Sequence, residues 1–392
     1  MPRQFADRMS CVHRSFVREI LKVTEDPEII SFAGGLPNPK CFPVREMAAA
    51  AQKVLNECGE AALQYSTTEG YLPLREYIAQ RYSRKGVRVE PEEILITNGS
   101  QQGLDLIGKV FLNKGDAVVV ERPTYLAALQ SFSLFEPVFR SVPLRDDGID
   151  TDALSNTIGE GRAKLLYSVP NFQNPTGITY SRKRREEVAD VMSRHSTIFL
   201  EDDPYGELRF KGKDVPSMKN FLGDNAVLLG SFSKIVSPGI RLGWISARED
   251  IMEKIVIAKQ AADLHSNYLS QRIVHQHLMD NDIDGHIAMI RAVYKRQRDL
   301  MVKLMEESFP SEVHFTRPEG GMFLWVTLPE GISSLKLFDK AIAKKVAFVP
   351  GQAFYSDGSG SNTMRLNFSN CDEEKITQGI ERLAKVIREE VS

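Results

Sequence analysis

A serine, a lysine and an arginine follow directly after one of the apolar segments of the chain. The apolar segment is Ala226–Leu229, and the polar segment behind it, GSFSKIVSPGIRLGW, contains Ser231, Lys234 and Arg241. A strand end that collects hydroxyl groups and cations is either a solvated loop or a site for an anion. A lysine at a buried strand end loses hydration, so its pKa falls and its neutral amine can form a Schiff base. Lys234 is therefore a candidate for covalent chemistry.

Three other apolar runs also end in polar residues. They are followed by NGSQQG (Asn98–Gly103), NFQNPTG (Asn171–Gly177) and EDDPYG (Glu201–Gly206). In an open α/β sheet, ligands bind beyond the carboxyl ends of the strands. Ser100 and Gln101 open a predicted helix, whose N-terminal N–H groups and dipole favour a phosphate. A simple helix cap without a ligand is the alternative.

The remaining strand ends supply a carboxylate, a phenol and an amide. Asp202 follows a buried run so closely that it needs a cation or a hydrogen-bond donor, and Tyr205 comes three residues later. Asn174 offers an amide donor, although solvated turns are the alternative for both segments. With Lys234 and the candidate phosphate ligands, these groups match the phosphate, aldehyde, ring nitrogen and ring hydroxyl of one cofactor, pyridoxal 5′-phosphate.

The elements that position these residues follow from the hydrophobic pattern. From Pro91 to Gln260, short runs rich in Val, Ile and Leu alternate with longer amphipathic segments. This predicts an α/β fold, a three-layer sandwich with a mostly parallel central sheet, and the pattern after Pro310 predicts a smaller α+β domain. We expect an N-terminal arm and part of the small domain at 1–45, a large cofactor-binding domain at 46–280, and an interdomain helix with the C-terminal small domain at 281–392.

Composition excludes several classes of function. The 392 residues carry a net charge of −2, so no domain-wide basic field favours nucleic acid or an anionic membrane. No run approaches the roughly 20 apolar residues that span a bilayer, and the four cysteines are scattered. We expect a cytoplasmic protein with no nucleic-acid or membrane partner. His275 and His277 face different sides of a predicted helix, so we expect no metal site.

Eight motifs in chain order carry a resemblance to a known family. They are contained in the segments VREILKVTEDPEIISFAGGLPNPKCFP, ALQYSTTEGYLPLRE, ITNGSQQGLDL, PNFQNPTG, EDDPYGEL, GSFSKIVSPGIRLGW, GGMFLW and NTMRLNFS. The chain resembles the class I pyridoxal-phosphate aminotransferases of fold type I. Within them it is similar to the branch that contains the LysN-type 2-aminoadipate and the kynurenine/2-aminoadipate aminotransferases. The resemblance covers nearly the whole chain.

The resemblance implies a role for each matching residue. Lys234 would bind the cofactor aldehyde as a Schiff base and then carry a proton, and Asp202 would pair with the ring nitrogen. The other implied contacts are Tyr205 and Asn174 to the ring 3-oxygen, Tyr125 to the ring face, Ser100, Gln101, Ser231 and Arg241 to the phosphate, and Tyr65 to the phosphate of the partner subunit.

Three further residues are implied to face the substrate. Arg365 would clamp the α-carboxylate together with Asn174, although an exposed arginine in an ion pair is the alternative from the residue alone. Gly35 lies in SFAGGLP, which is similar to a mobile segment that closes over substrate. Arg18 matches an arginine that meets a side-chain carboxylate, and a solvent-facing helix residue is its alternative.

The activity implied by the resemblance is ping-pong transfer of an amino group through a homodimer with active sites at its interface. The donor would be an L-amino acid such as 2-aminoadipate, an aromatic amino acid, kynurenine or leucine, and the acceptor a 2-oxo acid such as 2-oxoglutarate. ADLHSNYLSQ shows no equivalent of the arginine that aspartate aminotransferases use for a distal carboxylate. A cysteine-conjugate β-lyase with the same cofactor and a non-catalytic amino-acid-sensing module are the alternatives. The sensing module would need a winged-helix segment ahead of SFAGGLP.

Overall fold

The computed structural model of the chain describes residues 5–11, 20, 26–160 and 163–391. Its helices in this part of the chain are α1 (Val44–Leu63), α2 (Leu72–Arg84), α3 (Ser100–Phe111), α4 (Leu126–Ser133), α5 (Thr151–Gly159), α6 (Arg182–Met192), α7 (Lys219–Leu222), α8 (Glu249–Asp263), α9 (Tyr268–Asp280), α10 (Ile283–Ser308), α11 (Ser334–Ala343) and α12 (Glu373–Val391). None of them is long and apolar enough to cross a membrane.

The strands divide between one large and two small sheets. They are β1 (Ile30–Ser31), β2 (Ile94–Thr97), β3 (Ala117–Arg122), β4 (Val138–Arg145), β5 (Gly148–Ile149), β6 (Ala163–Ser168), β7 (Ile198–Asp202), β8 (Ala226–Ser231), β9 (Gly243–Ser246), β10 (His314–Phe315), β11 (Phe323–Thr327), β12 (Val346–Ala347), β13 (Val349–Pro350) and β14 (Thr363–Asn367).

The large sheet is mostly parallel. Its eight strands follow the order β2-β9-β8-β7-β6-β3-β4-β5. Parallel pairing runs from β4 through β3, β6 and β7 to β8. β9 is antiparallel to β2 and β8, and β5 is antiparallel to β4. The fold class predicted from the alternating pattern is confirmed, because a mostly parallel central sheet lies between two apolar layers and is accompanied by smaller sheets.

Both faces of the large sheet are covered. Alternate residues of a strand point to opposite faces, and in β3 they join different hydrophobic clusters. Val118 and Val120 belong to one cluster, and Ala117 and Val119 belong to another. Two separate apolar layers explain why the strands contain nearly continuous apolar runs rather than alternating ones.

The order of the strands reverses at β3, which positions the site. After β3 the chain adds β4 on one side, and β6 then joins the other side. The connections that follow β3 and β6 leave the sheet on different sides, so a crevice opens at the carboxyl ends of these strands. The polar segments predicted from the sequence therefore meet at one edge of the large sheet.

The smaller sheets contain strands from the N-terminal and C-terminal parts of the chain. β10, β11, β14 and β13 form an antiparallel sheet, and β1 pairs in parallel with β12. The strands of the large sheet all lie between residues 94 and 246, whereas those of the small sheets lie at 30–31 and between 314 and 367. This distribution supports a domain boundary near residue 45 and another near 280, which stay predictions.

Candidate active site

A cavity of about 380 Å³ opens at the carboxyl edge of the large sheet. Nine of the residues predicted from the sequence line it: Ser100, Gln101, Tyr125, Asn174, Asp202, Tyr205, Ser231, Lys234 and Arg241. They follow or end five different strands, β2, β3, β6, β7 and β8. The strand order of the sheet therefore brings together residues that lie far apart in the sequence.

Lys234 lies in a tight turn behind β8. Ser231 Oγ accepts a hydrogen bond from Ser233 N at 3.1 Å, which holds the start of the turn. Burial lowers the pKa of Lys234 to about 8, and the positive charges of Arg365 and Arg241 contribute. A substantial fraction of the amine is therefore neutral near pH 8, as a nucleophile or base requires.

Asp202 is the last residue of β7 and is almost completely buried. Its Oδ2 accepts a hydrogen bond from the Tyr167 hydroxyl at 2.8 Å, whereas its Oδ1 is buried without a hydrogen-bond partner among the described residues. Burial raises the pKa of Asp202 to about 7, and the Tyr167 hydrogen bond opposes the rise. A buried carboxylate oxygen without a partner needs a cation or a donor. The protonated ring nitrogen of pyridoxal phosphate meets this requirement.

The phosphate ligands predicted from two strand ends lie side by side. Gly99 holds the N-cap position of α3 with a φ of 73°, so Ser100 and Gln101 belong to the first turn of the helix. A Cβ at Gly99 would lie 2.8 Å from Arg241 Nη2, and a Cβ at Gly243 would lie 2.7 Å from Ser100 N. Two glycines thus let a guanidinium approach the helix N-terminus, which favours a phosphate. Gly99 rather than Ser100 holds the N-cap position, so the Ser100 side chain is not the cap of this helix.

Arg365 is buried beside the same cavity. Its Nη1 donates to Asn174 Oδ1 at 2.8 Å, its Nη2 donates to Ala33 O at 2.8 Å, and its guanidinium lies over the Phe323 ring. Burial lowers the pKa of Arg365 to about 10. The alternative of an exposed ion-paired arginine is wrong, because the side chain is buried and both of its acceptors are neutral. A guanidinium in this state favours an anionic ligand.

Asn174 joins Arg365 to the phenol predicted to face the ring. Its Nδ2 donates to the Tyr205 hydroxyl at 3.4 Å while its Oδ1 accepts from Arg365. Burial raises the pKa of Tyr205 well above its usual value, so the hydroxyl keeps its proton. The amide and the phenol therefore stand as neutral donors at one wall of the cavity.

The segment Ala33–Gly35 lies against both cations of the site. Arg365 donates to Ala33 O, and Lys234 Nζ donates to Gly35 O at 3.1 Å. Asn367 of β14 donates to Gly34 O. The carbonyl groups of one short segment thus accept hydrogen bonds from both the amine and the guanidinium. That Gly35 faces substrate stays a prediction.

Comparison with known proteins settles the family of the chain. A family model described as aminotransferase class I and II matches residues 30–383. The chain belongs to the class I and II aminotransferases. The aminotransferase is 45% identical to aromatic-amino-acid aminotransferase 1 of Thermococcus litoralis, over 99% of this chain and 95% of the relative.

Two solved structures are similar to the aminotransferase over nearly its full length. Kynurenine aminotransferase of Pyrococcus horikoshii matches with a TM-score of 0.95 and 45% identity, over 99% of this chain and 98% of that chain. LysN, the α-aminoadipate aminotransferase of Thermus thermophilus, matches with a TM-score of 0.92 and 42% identity, over 98% of this chain and 97% of that chain. That structure contains N-(5′-phosphopyridoxyl)-L-leucine. The expected branch, enzyme class and pyridoxal phosphate cofactor are confirmed.

Tyr65, which is expected to bind the cofactor of a partner subunit, lies on the surface of the chain. Tyr65 follows α1 and is 79% exposed, so it does not line the cavity of its own chain. Its proposed contact with a partner subunit stays a prediction. Arg18 lies outside the described residues.

Tyr167 is a residue of the site that the sequence did not single out. It lies inside β6, where it pairs with Leu200 of β7, and its hydroxyl reaches the carboxylate of Asp202. A signal was present, because a tyrosine within an apolar buried run needs a partner for its hydroxyl group. The sequence did not reveal which residue that partner is, since β6 and β7 are joined by a long connection.

Proposed function

We propose that this aminotransferase moves the amino group of an L-amino acid with a long side chain to a 2-oxo acid such as 2-oxoglutarate. Aromatic amino acids, kynurenine, 2-aminoadipate and leucine are the donors that we propose, because relatives at 42–45% identity carry the first three in their names and one holds a leucine adduct. The carrying observation is that two nitrogen groups lie against one short segment: Lys234 Nζ donates to Gly35 O, and the Arg365 guanidinium donates to Ala33 O.

The two groups suit the two ends of an α-amino acid in their chemistry. Arg365 offers donors to a carboxylate, with Asn174 fixing one side of the guanidinium. Lys234 would act at the amino group and at Cα. When bound, pyridoxal phosphate supplies an aldehyde that captures amino groups and a ring that withdraws electrons from Cα.

The residues of the chain then control protons and charge. Lys234 Nζ, with its pKa lowered to about 8, would accept and return the proton of the substrate Cα. Asp202, whose Oδ1 has no hydrogen-bond partner among the described residues, would pair with the protonated ring nitrogen. Asn174 and Tyr205, which contact each other, would hold the ring oxygen.

We further propose a cytoplasmic homodimer. Tyr65, Leu63 and Leu72 expose large side chains around the loop between α1 and α2, and Met279 is exposed at the end of α9, which packs against α1. A second copy of the chain would cover this apolar surface and bring Tyr65 to the partner's cavity. The scattered free thiols of the described residues are consistent with a reducing compartment.

A half-reaction screen tests the proposed function. The holoenzyme is mixed with one amino acid at a time, and conversion of the bound cofactor to pyridoxamine phosphate is followed by its absorption. We expect conversion with aromatic amino acids, kynurenine, 2-aminoadipate or leucine, and regeneration by 2-oxoglutarate. Lys234→Ala should lose both the visible absorption of the bound cofactor and turnover.

Two outcomes would contradict the proposal. Turnover by Lys234→Ala would remove Lys234 from the chemistry. Release of pyruvate and ammonia from a cysteine conjugate, with no conversion by any of the amino acids and no need for an oxo acid, would establish the β-lyase instead.

A further inference from the structure

A second buried carboxylate lies behind the active site. Glu121 of β3 is 1% exposed and accepts four hydrogen bonds. Its Oε1 accepts from Ser168 Oγ at 2.6 Å, from Val169 N at 3.1 Å and from Tyr180 OH at 2.8 Å, and its Oε2 accepts from Gln173 Nε2 at 2.8 Å. All four donors belong to the end of β6 and the connection that follows it. One carboxylate therefore holds the end of β6 and the connection behind it by hydrogen bonds.

Gln173 extends the network to the connection behind β3. Its Nε2 donates to Pro123 O at 2.8 Å as well as to Glu121. Its Oε1 accepts from Thr176 N at 2.9 Å and from Thr176 Oγ1 at 2.7 Å. These bonds close a turn that contains Asn174.

Both connections carry residues of the active site. Tyr125 lies two residues after Pro123 and lines the cavity. Asn174 follows Gln173 directly and accepts the hydrogen bond of Arg365. The Glu121 side chain does not line the cavity, so its effect on the site is transmitted through Gln173.

We propose that Glu121 is a positioning residue for transamination, which fixes the Asn174–Arg365 pair and the Tyr125 ring relative to each other through Gln173. The inference deepens the proposed function and rests on it, because it assigns no new reaction. Glu121 itself touches neither the proposed substrate nor the cofactor.

The charge of Glu121 is essential to this arrangement. Burial raises the pKa of Glu121, and the hydrogen bonds from Ser168, Gln173 and Tyr180 oppose the rise. Each of the four described groups that bond to the carboxyl group donates to it, so the ionised form, which only accepts, makes all four bonds. A glutamine at position 121 would point its NH₂ group at one of these donors. The donor, either Gln173 or the group formed by Ser168, Val169 and Tyr180, would then have to move away.

The test compares Glu121→Gln with the wild-type holoenzyme in the half-reaction with an amino acid that the wild type converts. We expect the amino-acid dissociation constant to rise and the first-order rate to fall, by roughly 10- to 100-fold in the ratio of rate to dissociation constant, because a displacement of about 1 Å disturbs the reacting geometry. We also expect the pH midpoint of the visible absorption of the bound cofactor to rise, since a displaced Asn174 no longer stabilises the deprotonated form.

Glu201→Gln is the matched control. Glu201 is the residue before Asp202 in β7, is equally buried, and accepts from Ser217 Oγ at 2.6 Å and Met218 N at 2.9 Å. Its side chain points to the opposite face of β7 from that of Asp202, because adjacent strand residues alternate. The control should lower the melting temperature to a similar extent as Glu121→Gln, with half-reaction constants within about twofold of wild type.

The inference is overturned if folded Glu121→Gln matches the wild type in both half-reaction constants and in the spectral midpoint, or if Glu201→Gln changes them equally. Where Glu121→Gln fails to fold, Tyr180→Phe removes one donor of the same carboxylate and retains the ring. A smaller change in the same direction then supports the inference, and unchanged constants overturn it. Failure of the wild type to convert any amino acid would contradict the proposed function, a result that the variants do not affect.

Discussion

Two side chains of the site have pKa values displaced in opposite directions by the same cause. Burial disfavours charge, so it lowers the pKa of Lys234 to about 8 and raises that of Asp202 to about 7. A neutral amine suits a group that attacks and exchanges protons. A carboxyl group without a partner for one oxygen suits a group that pairs with a cation. In the cofactor-free protein, the charged form of each residue is therefore destabilised by burial. Binding of the cofactor would remove this cost.

The stability of the cofactor-free protein should depend on this carboxyl group. Between the unfolded pKa of 3.8 and the folded pKa of about 7, the folded state binds more protons at Asp202 than the unfolded state, so stability falls as pH rises. Asp202→Asn removes this penalty while weakening cofactor binding. We expect the cofactor-free variant to gain on the order of 2 kcal/mol over wild type at pH 8 and less at pH 5.

Urea unfolding of both cofactor-free proteins across this pH range measures the difference. Asp224→Asn, which changes an exposed carboxylate just before β8, is the control and should follow the wild-type profile. A gain for Asp202→Asn that is constant with pH would contradict the assignment of the penalty to ionisation.

At the scale of elements, the proposed phosphate site depends on how closely β9 approaches the start of α3. Gly243 opens β9 and Gly99 caps α3, and their backbones are in contact. Neither element forms the site alone. The helix contributes Ser100 and Gln101, and the turn before β9 contributes Arg241, which has a left-handed φ of 58°.

Gly243→Ala should weaken cofactor binding. Its Cβ would lie 2.7 Å from Gly99 C and Ser100 N, both of them backbone atoms, so β9 or the helix must shift. We expect the affinity for pyridoxal phosphate to fall about tenfold or more, as measured by equilibrium dialysis, because the phosphate ligands separate.

Gly239→Ala is the matched control in the same connection. A Cβ at Gly239 meets nothing within 4 Å, so its affinity for the cofactor should match that of the wild type. Equal affinity of Gly243→Ala and wild type would show that this contact does not position the phosphate ligands.

At the scale of the whole molecule, the site combines three distant parts of the chain. The large sheet supplies Lys234 and Asp202, β14 of the small sheet supplies Arg365, and the segment Ala33–Gly35 lies between them. The register of β14 aims Arg365 at the site, since it pairs with Trp325 and Val349. We propose that a second copy of the chain completes the site with Tyr65.

Hybrid dimers test this contribution. Tyr65→Ala should lower cofactor affinity, and Lys234→Ala should abolish turnover. In a mixed dimer, the Tyr65→Ala subunit keeps its own Lys234 and receives an intact Tyr65 from the other subunit, so one wild-type site is restored. We expect mixing under conditions of subunit exchange to restore wild-type affinity and turnover at one site per hybrid.

Two results would contradict the shared site. If the subunits exchange but the mixture has only the summed activity of the two variants, Tyr65 acts in the site of its own chain. A mass of 44.1 kDa for the holoenzyme in sedimentation, which is that of one chain, would contradict the proposed homodimer.

The hydrophobic pattern alone identified the strands that carry the site, the polar residues behind them and the cofactor that these residues fit. These features are local, because a strand and the residues behind it are contiguous in the chain. Lys234, Asp202 and Ser231 were recognisable for this reason, and the parallel sheet that joins them followed from the alternation of apolar runs and helices.

Only the folded structure shows the contacts between residues that lie far apart in the chain. It placed the Tyr167 hydroxyl on Asp202, buried Arg365 between Asn174 and Ala33, and gathered the β6 connection on Glu121. Such contacts depend on strand order, register and the packing of the small sheet against the large one. Hydrophobic periodicity specifies which face of an element is buried but not which residue of another element it meets there.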